Sequence, residues 1–210
     1  MSLIRHLFWD FDGTLYDTYP QMTQSFRKGL EQLGLSHLLT DEEMLSLMKV
    51  SVFHVATWCA ERSGVDVQDI MNSYRGFHKL EKDFPAYGGM ADCLCCLHEA
   101  GYHHYLYTHR DATSINQLKA DGLWELFDDA VIVTDGFPHK PAPDALLALM
   151  ARNQLTPDVC AMVGDRDIDV DAGHNAGMSG FLFDPEGFYP DHPAELRVHT
   201  LAELADKLLS

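Results

Sequence analysis

The order of elements after Pro85 constrains this chain more than any other feature. A helical apolar pattern over 89–100 gives way to a strand at 103–108. The alternation then repeats: helix 112–121, strand 130–134, helix 143–153, strand 159–164, helix 170–176, strand 179–183 and a closing helix over 201–209. Strands joined by helical crossovers lie parallel, with helices on both faces of the sheet. One further strand of this kind, residues 3–12 (LIRHLFWDFD), stands at the other end of the chain. The sheet is therefore expected to draw on both ends of the sequence.

Between them, residues 20–82 read as helical throughout. Leu30 and Leu33, then Met44, Leu45, Leu47 and Met48, then Val52, Val55, Ala56 and Cys59 recur at helical spacing, and no strand-like alternation interrupts them. Gly34, Thr40-Asp41, Ser51 and Gly64-Val65-Asp66 supply breaks. With 210 residues the chain can build one good-sized core and a smaller appended unit. The expected division is a core from 1–15 and 86–210 and a helical subdomain over 16–85.

Charge and cysteines narrow the function classes. The formal net charge of −17 argues against a nucleic-acid or anionic-membrane surface. No apolar run is long enough to span a bilayer, and the N-terminal residues carry no signal-peptide pattern, so a cytoplasmic protein is expected. The odd number of cysteines, five, points to reduced thiols; Cys93, Cys95 and Cys96 fall in a helical pattern without a second ligand pair and read as buried or half-buried thiols.

In a doubly wound sheet, ligands bind beyond the carboxyl ends of the strands. Four such ends carry polar residues: Asp10-Phe11-Asp12-Gly13-Thr14, Thr108-His109-Arg110, the loop His139-Lys140-Pro141, and Gly164-Asp165-Arg166-Asp167-Ile168-Asp169. Asp10 and Asp12, two apart on a strand, point to one face. One carboxylate can attack while the other handles a proton. Asp165 and Asp169 add charge to the same rim, and four carboxylates together require a cation, for which hard oxygen ligands suit Mg²⁺. Lys140 and Thr108 can bind phosphate oxygens, and Gly13 allows a tight turn that presents N–H groups to an anion.

These motifs, in this order, resemble the haloacid dehalogenase-like hydrolase superfamily over nearly the whole chain. DFDGTLYD at 10–17 is similar to its DxDGTLxD, LYTHR supplies Thr108, HKPAP supplies Lys140, and VGDRDIDVDAGHNAG supplies Asp165 and Asp169. The resemblance implies a three-layer α/β/α, Rossmann-like core with an inserted helical cap, and a phosphatase acting through an aspartyl-phosphate. Asp10 would be the nucleophile and Asp12 the acid and base. Thr108 and Lys140 would hold the phosphoryl group. Asp10, the Asp12 carbonyl, Asp165 and Asp169 would hold Mg²⁺. Gly13, Thr14, His109 and the cap residue Lys49 are the substrate-binding candidates. The presence of Asp12 argues against dehalogenation.

The helical insertion is similar to that of the subclass including phosphoglycolate phosphatase and β-phosphoglucomutase. A small phosphorylated metabolite is the expected partner, and a monomer or weak homodimer the expected state. A sugar phosphomutase and a non-catalytic binding protein on the same fold are the alternatives. His109-Arg110 and Arg166 depart from the family pattern, and the surplus of carboxylates favours pairing for both arginines.

Overall fold

The computed structural model describes residues 4–82 and 84–210. Among them the chain forms two compact units, one from residues up to Asp17 and from Pro85 onward, the other from Thr18 to Phe84.

The first unit holds a parallel sheet. Its described strands are β1 (His6–Trp9), β2 (His103–Tyr107), β3 (Phe127–Val131), β4 (Cys160–Gly164), β5 (Ser179–Phe183) and β6 (Leu196–Val198), in the order β3-β2-β1-β4-β5-β6. β1 sits centrally between β2 and β4, with Trp9 level with Leu106 on one side and Val163 on the other. Burial on both faces explains its unbroken apolar run: Leu7, Phe8 and Trp9 are all buried. After β3 the chain returns to the far side of β1, so the strand order reverses between β1 and β4. A doubly wound sheet opens a crevice at such a reversal.

The helices of this unit, α5 (Met90–Glu99), α6 (Thr113–Ala120), α7 (Asp144–Arg152), α8 (Asp167–Asn175) and α9 (Leu201–Leu209), pack on the two faces. Phe8, Tyr105, Tyr107 and Met162 point to one face and meet α7 (Asp144–Arg152) and α8 (Asp167–Asn175) through Leu146, Leu149 and Ala172. On the other face, the Trp9 indole N–H donates to His104 Nδ1 at 2.9 Å, and His104 Nε2–H donates to the Leu94 carbonyl of α5 (Met90–Glu99) at 3.2 Å. Burial pushes the His104 ring down to about 4, so it stays neutral and serves as a satisfied core group. Cys93 is buried on α5, but Cys95 and Cys96 are exposed: only one face of this helix, Met90, Cys93, Leu94 and Leu97, turns inward.

Several elements differ from expectation, the first strand being shorter (His6–Trp9) than the 3–12 read from the sequence and β3 ending at Val131 rather than at 134. β3 begins at Phe127, three residues early, because at the sheet edge Asp128 and Asp129 can point outward; Asp128 meets His103 at 2.7 Å. α8 also begins three residues early, since the Asp169 carboxylate reaches back to the Arg166 N–H at 3.1 Å and caps the first turn. β6 has no expected counterpart; it is three residues long and pairs with β5 alone. Leu3, at the expected start of the first strand, lies outside the described residues.

The second unit is helical: α1 (Tyr19–Gln32), α2 (Asp41–Val50), α3 (Val52–Ser63) and α4 (Val67–His78). Its core joins Phe26 and Leu30 to Met44, Met48, Val55 and Ile70. Thr40 and Glu43 form a reciprocal cap at the start of α2. Gly29 lets α1 approach α4; a Cβ there would lie 3.0 Å from the Tyr74 backbone nitrogen. No helix among the described residues is long and apolar enough to cross a membrane.

The chain segments bordering this helical unit are bound to each other inside the first unit. Asp17 N–H donates to the Pro85 carbonyl at 2.8 Å, Tyr87 N–H to the Leu15 carbonyl at 3.0 Å, and Tyr16 and Ala86 form an antiparallel bridge.

Candidate active site

The reversal between β1 and β4 brings strand ends together. Asp10 follows β1, Asp165 follows β4, and Asp169 sits in the first turn of α8. Each offers a carboxylate oxygen within 4.8 Å of the others, and all three residues are buried. Asp169 gets this close because residue 164 is glycine: a Cβ there would overlap the Asp169 side chain.

Lys140, on the loop before α7, enters the same cluster with its side chain wholly buried. Its Nζ lies 2.7 Å from Asp10 Oδ1 and 2.7 Å from Asp169 Oδ1. Burial alone would push this ammonium down, but the two carboxylates outweigh burial and hold it charged. For Asp169, burial is likewise outweighed, here by Lys140 and Arg166, and it remains ionised. For Asp10, burial prevails, reinforced by Asp169 and Asp165 and only partly opposed by Lys140, so its carboxyl is raised to about 7. Lys140 is shared between two carboxylates and cannot neutralise both.

Asp10 Oδ2 is buried with no hydrogen-bond partner among the described residues. A buried carboxylate oxygen left without a donor is costly, and three buried carboxylates converging on one point are the donor set a small, hard divalent cation takes. The residues present fit a metal.

The remaining expected residues are arranged as follows. Asp12 is half-buried and gripped by Arg110: Nε stands 3.0 and 3.1 Å from its two oxygens, and Nη2 2.6 Å from Oδ1. Thr108 is buried at the end of β2, where its hydroxyl accepts the Arg110 N–H at 3.0 Å. Gly13 adopts φ 80°, and its N–H donates to the Tyr16 carbonyl at 2.8 Å. The Thr14 hydroxyl donates to Asp165 Oδ1 at 3.4 Å, which makes it a support for that carboxylate. Arg166 stands 4.0 Å from Asp169 Oδ2. Both arginines are thus paired with carboxylates.

His109 turns its Nε2 toward the Lys140 backbone N–H, 3.1 Å away. Burial, with the charge of Lys140 and the neighbouring His139 and Arg166, pushes this ring down to about 3, so it is the neutral acceptor the bond requires. Lys49 belongs to the helical unit, where it is buried on α2 with its Nζ 4.2 Å from the centre of the Tyr19 ring. Tyr107 is the residue that the sequence did not single out: its ring centre lies 4.6 Å from Lys140 Nζ. Strand parity was the available signal, since 107 and 109 share a face.

The sequence model described as haloacid dehalogenase-like hydrolase matches residues 7–182. A phosphoglycolate phosphatase of Vibrio parahaemolyticus serotype O3:K6 is 27% identical over 190 residues, covering 85% of this chain and 82% of its own. Pyrophosphatase PpaX of Bacillus velezensis is 27% identical over 177 residues, covering 81% and 79%. Among solved structures, a haloacid dehalogenase-like family hydrolase from Streptococcus pneumoniae superposes with a TM-score of 0.82 at 19% identity, covering 99% of each chain.

Proposed function

The chain belongs to the haloacid dehalogenase-like hydrolase family, and from that premise we propose that it is a Mg²⁺-dependent phosphatase that hydrolyses a small phosphate monoester through an aspartyl-phosphate on Asp10. One observation carries this reading: in the buried carboxylate triad Asp10, Asp165 and Asp169, a single buried lysine bridges only Asp10 and Asp169, and one oxygen of Asp10 has no donor among the described residues. A merely structural ion pair has no use for the two surplus carboxylates.

Asp10, Asp165 and Asp169 would hold the cation, with the Asp12 carbonyl as a further oxygen. When bound, Mg²⁺ supplies positive charge to the phosphoryl oxygens and screens the carboxylates from one another. Asp10 carboxylate attacks phosphorus; its O–P bond forms as the bond to the leaving oxygen breaks. Asp12 gives that oxygen a proton, then takes one from water as the water attacks the phosphoaspartate and releases Asp10. Lys140, already beside Asp10, meets the negative charge on the transferring group, and Thr108 donates its hydroxyl to it. Arg110 fixes the Asp12 carboxylate at the end of β1.

Similarity to the Vibrio phosphoglycolate phosphatase favours a small carboxylate-bearing monoester, and similarity to the Bacillus pyrophosphatase makes pyrophosphate the second substrate class to test. The net charge of −17 weighs against a nucleic-acid partner. All five cysteines are free, which supports a cytoplasmic location, and we take the protein to be a monomer or weak dimer. Phosphate release from a panel including phosphoglycolate, sugar phosphates and pyrophosphate, with Mg²⁺ or EDTA, tests the reading in wild type and Asp10→Asn. Mg²⁺-dependent release lost in the variant is the expected result. Equal release by both proteins would remove Asp10 from the mechanism.

A further inference from the structure

Lys140 is held from two directions by one strand end. Its Nζ donates to Asp10 at 2.7 Å and lies 2.7 Å from Asp169, and the ammonium's remaining side faces the Tyr107 ring at 4.6 Å. Its backbone N–H is fixed separately, by His109 Nε2 at 3.1 Å. Tyr107 ends β2 and His109 is two residues on, so both leave the strand on the side of the Lys140 loop, while Thr108 between them bonds to the Arg110 N–H. The Tyr107 hydroxyl is buried and has no hydrogen-bond partner among the described residues. The contact Tyr107 does make is through its ring, and a ring face beside a desolvated ammonium attracts it. The His109 ring is in turn braced edge-on by His139, with centroids 4.3 Å apart.

We infer that Tyr107 and His109 are positioning residues for Lys140, the ring of Tyr107 holding its ammonium and the nitrogen of His109 holding its backbone. The inference rests on the proposed role of Lys140 in phosphoryl transfer. A lysine shared by two carboxylates can swing toward either; a third, uncharged contact and a pinned main chain keep Nζ where the phosphoryl oxygens arrive. Displacing a catalytic group by about 1 Å costs up to ~100-fold in rate.

The test is steady-state kinetics on p-nitrophenyl phosphate with Mg²⁺. Phenylalanine and its mono-, di- and trifluoro derivatives placed at position 107 keep the ring's size while draining charge from its face. The expected result is kcat close to wild type for Tyr107→Phe and a stepwise fall with each fluorine, roughly two- to tenfold overall, at unchanged KM. His109→Leu should lower kcat roughly tenfold, and His109→Gln, whose amide oxygen can accept the same N–H, should restore most of it. A kcat flat across the fluorine series overturns the role of Tyr107, because a packing role would give that result. Equal losses in His109→Leu and His109→Gln overturn the role of His109.

Lys140→Ala in the same assay separates the two readings. If it keeps full activity, the phosphatase assignment of Lys140 fails; if it is inactive while the other series are flat, only the present inference fails. Should no ester be turned over, the ε-methylene proton resonances of Lys140 decide. They should be shifted by the ring in Tyr107→Phe and lose that shift in Tyr107→Leu; unchanged resonances refute the contact.

Discussion

Replacing Asp10 by Asn should stabilise the metal-free protein at alkaline pH while removing its activity. Burial, aided by Asp169 and Asp165, raises the Asp10 carboxyl to about 7 in the folded chain. In the unfolded chain it titrates near the ordinary value of about 4. A carboxyl raised on folding prefers its neutral form there. Its contribution to stability is therefore whole below pH ~4, falls as pH rises, and is lost once pH passes the folded value of about 7. That gap, at about 1.4 kcal/mol per pH unit, corresponds to on the order of 2–4 kcal/mol at pH 8. Asparagine has the shape of the neutral acid: its oxygen can accept from Lys140, and its amide can sit where Oδ2 now lacks a donor. The variant should recover this energy, raising Tm by about 4–15 °C in EDTA at pH 8.

At pH 5 the advantage should shrink to roughly 1–2 kcal/mol, because folded wild type then carries the proton itself. Added Mg²⁺ should close the gap by stabilising wild type more than the variant. Thermal unfolding of both proteins at pH 5 and pH 8, with EDTA or Mg²⁺, reads all four quantities. A variant less stable than wild type at pH 8 in EDTA, or a difference independent of pH, would refute the reasoning.

Other substitutions probe the remaining contacts. Arg110→Ala releases both oxygens of Asp12, so kcat should fall about tenfold or more, and Arg110→Lys, which has no fork, should recover little of it; wild-type kcat in either variant would deny the clamp a role. Gly164→Ala places a Cβ where Asp169 packs, and Mg²⁺ affinity measured by calorimetry should drop about tenfold or more; unchanged affinity would mean that Asp169 does not contribute to the metal site. Thr40→Ala removes the reciprocal cap of α2 and should cost about 1 kcal/mol, seen as faster amide exchange in that helix, with exchange elsewhere in the core unit unaltered.

Much of the architecture was legible because it rests on local periodicity and on strand ends. β1 reads as a buried strand from Leu7, Phe8 and Trp9 alone, and Asp10, Lys140, Asp165 and Asp169 stand at strand ends and loops that a parallel sheet must bring to one edge. What escaped was set by partners distant in sequence. β6 is fixed by its pairing with β5, Phe181 level with Leu196, and three residues give no period to detect. β3 carries Asp128 and Asp129, which argue against a strand until one knows that it lies at the edge. The expectation that Thr14 and His109 touch substrate came from their neighbourhood in the chain; the contacts they make in the structure are the Thr14 hydroxyl on Asp165 and His109 Nε2 on the Lys140 backbone N–H. Tyr107 lies inside a buried strand, and only its parity with His109 set its ring apart from core filling.

The bridge between residues 15–17 and 85–87 has an evolutionary consequence. To the core, the whole helical segment is the loop of a hairpin whose mouth is already hydrogen-bonded shut. Lengthening such a loop adds only about 0.6 kcal/mol of closure cost per doubling, and shortening it returns a similar amount. A lineage can therefore enlarge, exchange or discard everything between Thr18 and Phe84 while β1, Asp10 and Asp12 stay in register, which makes this junction a place where descent can experiment at little risk to the sheet.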